Sequence, residues 1–444
     1  MVPLIICLQY GRIRAMFIYK NRIFDALLKD ALESKGAVVV RGPKWCGKTT
    51  TAEQVAKSVV YMHDPESAEQ NLLTAQTRPS RLLAGATPRL IDEWQDAPQL
   101  WDAIRYDVDH SHEFGKFILT GSAVPPDKKK KKLIHHTGTG RFAWLTMRPM
   151  SLFESGESTG SVSLGDLFDG KRELGDSAPN KLEDVAYLTC RGGWPVAATM
   201  KRGRAALRQA FDYVDAIAES DVSRADDIER DAGFTRRLLK SLARLQGTQA
   251  SVSVIRADLG PNEPNTFSEN TIYEYINALK KIFVLEDMPA WCPNLRCKTP
   301  VRTTDTRYFT DPSIATAALG LGPNELMNDL KTFGLFFEAL VARDLRTYAD
   351  ALDGAVSHYR DKSGLECDAV VHLRNGRYGL VEVKLGGERL IGEGVRTLNK
   401  LSGEIDTKSM PKPSFCMVVT AQGDFAYEIP GSGIIVCPVG CLRP

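Results

Sequence analysis

The stretch Gly42-Pro-Lys-Trp-Cys-Gly-Lys-Thr49 constrains this chain more than any other. Two glycines separated by four residues and followed by lysine and a hydroxyl residue are the spacing of a phosphate-binding loop. Directly before it runs Ala37-Val-Val-Val40, which reads as a strand, and directly after it Thr50-Thr-Ala-Glu-Gln-Val-Ala-Lys57 suits a helix. Strand, loop and helix are the setting the pattern needs. Gly42 and Gly47 let the backbone of Gly42, Pro43, Lys44, Trp45, Cys46 and Gly47 curl into a nest of N–H donors around the β- and γ-phosphates. Lys48 supplies a cation, the Thr49 hydroxyl can bind Mg²⁺, and Thr50 opens a helix whose positive end faces the anion. A chance turn is the weaker reading.

Two later stretches fit the same site. Pro88-Arg-Leu-Ile-Asp-Glu93 is an apolar approach ending in two acids, as in a Walker B strand. Asp92 is placed to hold Mg²⁺ beside Thr49, and Glu93 to orient and deprotonate the attacking water. Gly115-Lys-Phe-Ile-Leu-Thr-Gly-Ser122 is a third strand, ending where a parallel sheet presents Thr120 or Ser122 to the γ-phosphate. Three strands with helical spacers, each ending in a polar residue, predict a doubly wound α/β sheet.

Together with Gly140-Arg141, Arg148-Pro-Met-Ser-Leu-Phe-Glu154 and Gly192-Gly-Trp-Pro195, these motifs give a sequence that resembles the prokaryotic AAA-type ATP-binding proteins with a C-terminal domain of unknown function. The resemblance runs from about Met16 to the end and is most specific before residue 200. It implies an AAA-like ATPase core with ATP and Mg²⁺ as ligands. It also implies Glu93 as catalytic carboxylate, Thr120 as sensor, and Arg141 as a sensor or finger arginine, within the chain or across subunits. Lys128 to Lys132, with His135 and His136, departs from the family pattern. The solvated loop is the favoured reading of that run, and contact with a DNA backbone the sharper one.

At 444 residues the chain exceeds one core, and 57 basic against 55 acidic residues give no global pull toward nucleic acid. The nine cysteines (Cys7, Cys46, Cys190, Cys292, Cys297, Cys367, Cys416, Cys437, Cys441) are odd in number, scattered and never spaced C-x-x-C. They read as free thiols in a reducing cytoplasm. No segment reaches the ~18 apolar residues that span a bilayer, so no membrane partner is expected. Val2 to Leu8 lacks the flanks of a secretion signal, and Met16 looks an equally good start, making the first fifteen residues a loose extension.

Beyond the core, Glu154 to Pro179 is rich in Gly, Ser and acids and reads as a flexible connection. Leu207, Phe211, Val214 and Ile217 mark an amphipathic helix packing on the ATPase core. From Phe234 to Asp311, three helices followed by Phe283-Val-Leu285 and Arg307-Tyr-Phe309 resemble a winged helix. Its third helix turns Glu274, Asn277, Lys280 and Lys281 outward, a mixture suited to domain packing nearly as well as to DNA.

The C-terminal part carries a second chemical pattern. Leu365 to Leu373 and Arg377 to Leu385 flank Arg374-Asn-Gly376, a three-residue hairpin loop with Gly376 left-handed. That register faces Asp368 with Glu382 and Glu366 with Lys384 on one side, leaving Leu365, Cys367, Ala369, Val371, Val381, Val383 and Leu385 on the other. An Asp followed by Glu-x-Lys on the adjoining strand resembles the PD-(D/E)xK nucleases, which implies a restriction-endonuclease-like fold. Asp368 and Glu382 would then hold Mg²⁺, with Lys384 polarising water and Glu338 as a further acid. Ordinary cross-strand ion pairs are the competing explanation.

The expected organisation is an ATPase domain over 1–155, a linker and helical segment over 156–232, a winged-helix-like unit over 233–325 and a nuclease-like unit over 326–444. The expected function is a cytoplasmic, Mg²⁺-dependent ATPase acting as a switch or DNA-associated motor. DNA, a protein partner or a second copy are its candidate partners. The alternatives are an ATP-gated DNA nuclease and a non-enzymatic nucleotide-dependent interaction module.

Overall fold

Residues Ala37–Arg41 form β1, whose apolar run leaves no polar face, so the strand is buried on both sides and sits inside a parallel sheet. The computed structural model describes residues 19–122, 134, 137–178, 181–226, 228–260, 268–292, 304–405, 407 and 410–444. The first fifteen residues, Lys128 to Lys132, His135 and His136 lie outside them. Ser58–Tyr61 (β2), Arg89–Asp92 (β3), Phe117–Gly121 (β4) and Phe142–Thr146 (β5) complete the sheet in the order β2-β3-β4-β1-β5. Leu100, Trp101 and Ile104 of the helix Leu100–Ser111 pack with Val39, Ile91 and Leu119 on one face. Phe24, Leu28 and Leu32 of the helix Ile23–Ser34 pack with Val38, Leu90 and Ile118 on the other. Alternate strand residues face opposite ways, which is why the near-continuous apolar strands serve two cores. The parallel α/β sheet expected from the sequence is therefore present.

The segment after the ATPase core is not a flexible connection. Val162–Ser163 (β6) pairs in parallel with Leu442–Arg443 (β15), and Val162, Leu164, Leu167 and Phe168 are buried. Its Gly/Ser/acid composition concealed this because its hydrogen-bond partners lie near the far end of the sequence: Ser158 Oγ donates to Leu442 O at 2.7 Å. Gly192-Gly-Trp-Pro195 fastens the core to the rest. Gly193 N donates to Asp311 Oδ2 at 2.9 Å, Trp194 Nε1 to Ser313 Oγ at 3.0 Å, and a Cβ on Gly193 would meet Met150 O at 2.1 Å. One hydrophobic cluster then runs from Leu152 to Leu442, so the units expected after residue 155 have a core in common, while a second cluster around Leu365, Leu380 and Leu398 belongs to the C-terminal part.

The middle of the chain shows helices Ala232–Arg244, Val252–Asp258 and Glu269–Lys281, then Leu285–Met288 (β7) antiparallel to Thr306–Phe309 (β8). On the third helix Glu274 and Asn277 are exposed, whereas Lys280 and Lys281 are tied to Asp287 and Asp226 at 2.5 and 3.0 Å. Those two cations are spent inside the protein.

Toward the C-terminus lies a six-stranded sheet, order β13-β14-β12-β11-β10-β9, from Gly354–Arg360 (β9), Glu366–Leu373 (β10), Tyr378–Lys384 (β11), Phe415–Thr420 (β12), Tyr427–Glu428 (β13) and Ile434–Pro438 (β14). The hairpin register is as expected: Ala369 pairs with Val381 and Val371 with Gly379, and Gly376 has φ 86°. The expected separation of faces is not. An irregularity between Cys367 and Val370 turns Leu365 and Cys367 into the cluster of Val370, Leu380 and Leu398, opposite Ala369, Val371 and Val381. Helices cover both faces, Leu330–Ala351 on one and Glu388–Glu404 on the other, so neither face needed to be polar.

The reading of all nine cysteines as free thiols is corrected at Cys292, which is disulfide-bonded. Cys46, Cys190, Cys367, Cys416, Cys437 and Cys441 are free.

Candidate functional site: the phosphate loop and the acidic pair

The loop is shaped by two glycines and a lysine. Gly42 (φ 153°) and Gly47 (φ 99°) take positive φ, and a Cβ on Gly42 would fall 2.1 Å from Met147 O. The Lys48 ammonium bridges the loop, donating to Gly42 O at 3.0 Å and Pro43 O at 2.7 Å, which leaves its third proton for an anion. The helix that follows is short, Lys48–Glu53, rather than reaching Lys57; Thr50 is exposed on it.

Neighbours hold the loop from both sides. Arg22, absent from the sequence expectations, donates from Nη1 to Cys46 O at 2.9 Å and from Nη2 to Arg148 O at 2.8 Å, while its Nε pairs with Glu154 at 2.9 Å. Lys44 Nζ reaches Asp221 Oδ1 at 2.5 Å, and Trp45, with φ 64°, lies 5.7 Å from the Tyr213 ring. Cys46 is buried with Sγ 3.5 Å from Met147 O. Arg22 precedes a helix by one residue and looks like an ordinary cap in sequence; Asp221 and Tyr213 lie too far along the chain for any local pattern to bring them to the loop.

Opposite the loop, β4 stands between β1 and β3, with Thr120 in register with Val40 on one side and Asp92 on the other. Asp92 Oδ1 accepts from Thr49 Oγ1 at 2.7 Å and from Thr120 Oγ1 at 2.6 Å. A hydroxyl and a carboxylate in contact beside a phosphate loop are the donor set for Mg²⁺ held partly by substrate phosphates and water, so Thr49 and Asp92 fit the metal. Glu93 leaves the strand in the left-handed region (φ 56°), and its Oε2 accepts from Gln95 Nε2 and from Ser122 Oγ, the latter at 3.4 Å. Thr49, Asp92, Glu93 and Thr120 are thus brought together.

Arg141 is not with them. It precedes β5, whose Phe142 pairs with Ala37 at the start of β1, whereas the loop follows Arg41 at the other end. Five strand residues rise about 13 Å. Arg141 instead pairs with Asp109 at 2.6 Å, so it cannot serve the loop of its own chain.

The second set, Glu338, Asp368, Glu382 and Lys384, does converge, but as a neutralised cluster. Lys384 Nζ lies 3.2 Å from Asp368 Oδ2 and 2.8 Å from Glu382 Oε2, and Asp368 Oδ2 also accepts from Val383 N at 2.7 Å. Tyr308 of β8 donates its hydroxyl to Glu338 Oε1, and Gly247 lies beside the same oxygen. Burial, and then the Asp368 charge, raise the carboxyls of Glu338 and Glu382 above the usual carboxylate range. Asp368 and Glu382 raise the Lys384 ammonium against the opposing effect of burial. Among the described residues no three His, Cys, Asp or Glu side chains stand at metal-holding spacing. The cluster does not fit a metal in this arrangement. Nor, among them, is any helix long and apolar enough to cross a membrane.

Three family models match parts of this chain. Residues 34–155 match the family described as AAA domain, residues 182–325 match Domain of unknown function (DUF8612), and residues 333–442 match Domain of unknown function (DUF4143). Uncharacterized proteins of Mycobacterium bovis and Mycobacterium tuberculosis are each 24% identical over 389 residues, which is 87% of this chain and 78% of theirs. A Walker-type ATPase of Pyrococcus abyssi superposes with a TM-score of 0.39 at 13% identity, over 68% of this chain and 96% of that one. The AAA match spans the loop, the acidic pair and Thr120, and supports an AAA-type, ATP-binding core.

Proposed function

We propose that the protein is a Mg²⁺-dependent ATPase of AAA type that works as a nucleotide-driven switch. The observation that carries this reading is the contact of Thr49 and Thr120 with one oxygen of Asp92, next to a loop whose Gly42 and Pro43 carbonyls are bridged by Lys48. The Gly42–Thr49 backbone and Lys48 bind the phosphates, and Thr49 and Asp92 are the residues that would hold Mg²⁺, whose chemistry there is to neutralise phosphate charge. Glu93 takes a proton from the attacking water. Thr120, between loop and acid, registers the γ-phosphate. The test is Glu93→Gln. It should keep ATP affinity within threefold by calorimetry and lose turnover by roughly a hundredfold or more; a variant that turns over like the wild type removes Glu93 from this role. Tight ATP binding by a wild type that never hydrolyses it would favour the interaction module.

The nuclease reading has one observation in its favour, the convergence of Glu338, Asp368, Glu382 and Lys384, and one against it, the lysine that already neutralises two of the acids. Plasmid incubated with Mg²⁺ or Mn²⁺, with and without ATP, decides it: cleavage abolished by Asp368→Ala supports the reading, and an intact plasmid removes it. Association with DNA draws no support from Lys280 and Lys281, whose charges are paired internally.

A further inference from the structure

Gln95 follows Glu93 by two residues on a single turn of 3₁₀ helix, Trp94–Asp96, which folds its side chain back over the end of β4. It is only 7% exposed. Its Nε2 donates to Glu93 Oε2, and the amide cannot be turned over, because an ionised carboxylate offers acceptors alone. Oε1 must therefore face away from Glu93. There it is buried and has no partner among the described residues. An acceptor left bare in a protein interior costs about 1–3 kcal/mol, so its survival needs a reason.

The location supplies one. A Cβ placed on Gly121 would lie 2.5 Å from Oε1 and 3.3 Å from Trp94 Nε1, so the oxygen, with the indole, fills the space that the missing side chain leaves at the end of β4. Among the described residues the donors to Glu93, Gln95 and Ser122, engage Oε2, which leaves Oε1 of Glu93 for a proton. Two acceptors, one on Glu93 and one on Gln95, thus flank the end of β4. A water donates two protons.

We infer that Gln95 orients the water that attacks ATP, its carbonyl oxygen accepting one water proton while its amide locks Glu93 to receive the other. The inference rests on the ATPase reading above. In the step, the water oxygen bonds to the γ-phosphorus, and the bond from that phosphorus to the bridging oxygen breaks with its electron pair staying on ADP. One proton passes to Glu93, and the other remains on the transferred oxygen, hydrogen-bonded to Gln95. Gly121 is small so that Gln95 can lie there.

The experiment uses the full chain and four proteins: wild type, Gln95→Ala, Gly121→Ala and, for comparison, Glu93→Gln. Gln95→Ala and Gly121→Ala should each bind ADP within threefold of wild type, lose about a hundredfold in turnover, and capture ADP with aluminium fluoride about tenfold or more weakly, since only that complex contains the in-line water. Normal ADP affinity shows that each variant is folded. Turnover and aluminium fluoride capture within threefold of wild type in Gln95→Ala overturn the role of Gln95, whatever Gly121→Ala does. A wild type that hydrolyses no ATP overturns the ATPase reading and this inference with it. Hydrolysis lost in Glu93→Gln but kept in Gln95→Ala sinks Gln95 alone.

Discussion

At the scale of single residues, three carboxyls crowded around one ammonium, Glu382 buried and Glu338 and Asp368 half-buried, are an electrostatic liability. Glu338 is raised by burial and by Asp368, so its folded form holds a proton more tightly than the unfolded chain does. Its contribution to stability is present below the ordinary carboxylate range near 4.5 and is lost as pH rises through the raised folded value. Glu338→Gln keeps an acceptor for Tyr308 and removes the charge. It should be more stable than wild type at pH 8 by about 1 kcal/mol and show a flatter dependence of melting temperature on pH; a variant less stable at pH 8 would mean the charge is needed. Asp368, Glu382 and Lys384 were legible in sequence because alternation along two strands and one turn fixes which of them meet, whereas Glu338, on the helix Leu330–Ala351, came only from the resemblance. The lysine's neutralising role was not, since it depends on how close three side chains come. Thr49, Asp92 and Glu93 were legible for a comparable reason: a loop and a strand end in one parallel sheet have few places to go. Arg22 was missed because nothing in its neighbourhood distinguishes it from a helix cap; Gln95 stands in the stretch Leu-Ile-Asp-Glu-Trp-Gln95 that carries the family resemblance, but no pattern there assigned it a role beside Glu93.

At the scale of elements, the turn Gly192-Gly-Trp-Pro195 does the joining that composition assigned to no segment. Gly193 has backbone oxygen against the space where a Cβ would go, at 2.1 Å, and donates its amide to a buried Asp311. Gly193→Ala forces the turn off Met150 and should cost about 1–3 kcal/mol in a urea titration; an unchanged midpoint would show that the turn yields freely. The strands and helices of the first half were readable because β1, β3 and β4 are apolar runs with polar ends. The segment after Glu154 was misread because its order comes from β15 and not from its own residues. The irregularity in β10, a register shift against β9, was invisible because no local glycine or proline marks it.

Across the whole molecule, one arginine ties three units. Arg148, just after β5, pairs with Glu286 on β7 at 2.5 Å and with Asp350 at the end of the long helix Leu330–Ala351 at 2.5 Å. Burial opposes ionisation of Glu286, but Arg148 and then Arg346 outweigh it and hold the carboxyl down to about 2, from 4.5. The tie is therefore present above about pH 4.5 and fades as the medium is acidified toward 2. Glu286→Gln leaves two arginines short of charge and should cost roughly 3 kcal/mol at pH 7, and in calorimetry the ATPase core should melt apart from the remainder. A single transition at the wild-type temperature would count against the tie. The shared core from Leu152 to Leu442 makes the same point about cooperativity: no cut after residue 155 leaves two finished interiors.

The union of β6 with β15 also has a consequence in time. Ser163 and Pro444 are joined by a hydrogen bond yet stand 281 residues apart in sequence. At about 5–20 residues per second, a ribosome needs roughly 15 s to a minute to make the intervening chain. For that interval the nascent protein carries a complete nucleotide sheet followed by a strand still waiting for its mate, and a chaperone that shields residues 156–178 during synthesis would have its work defined by that delay.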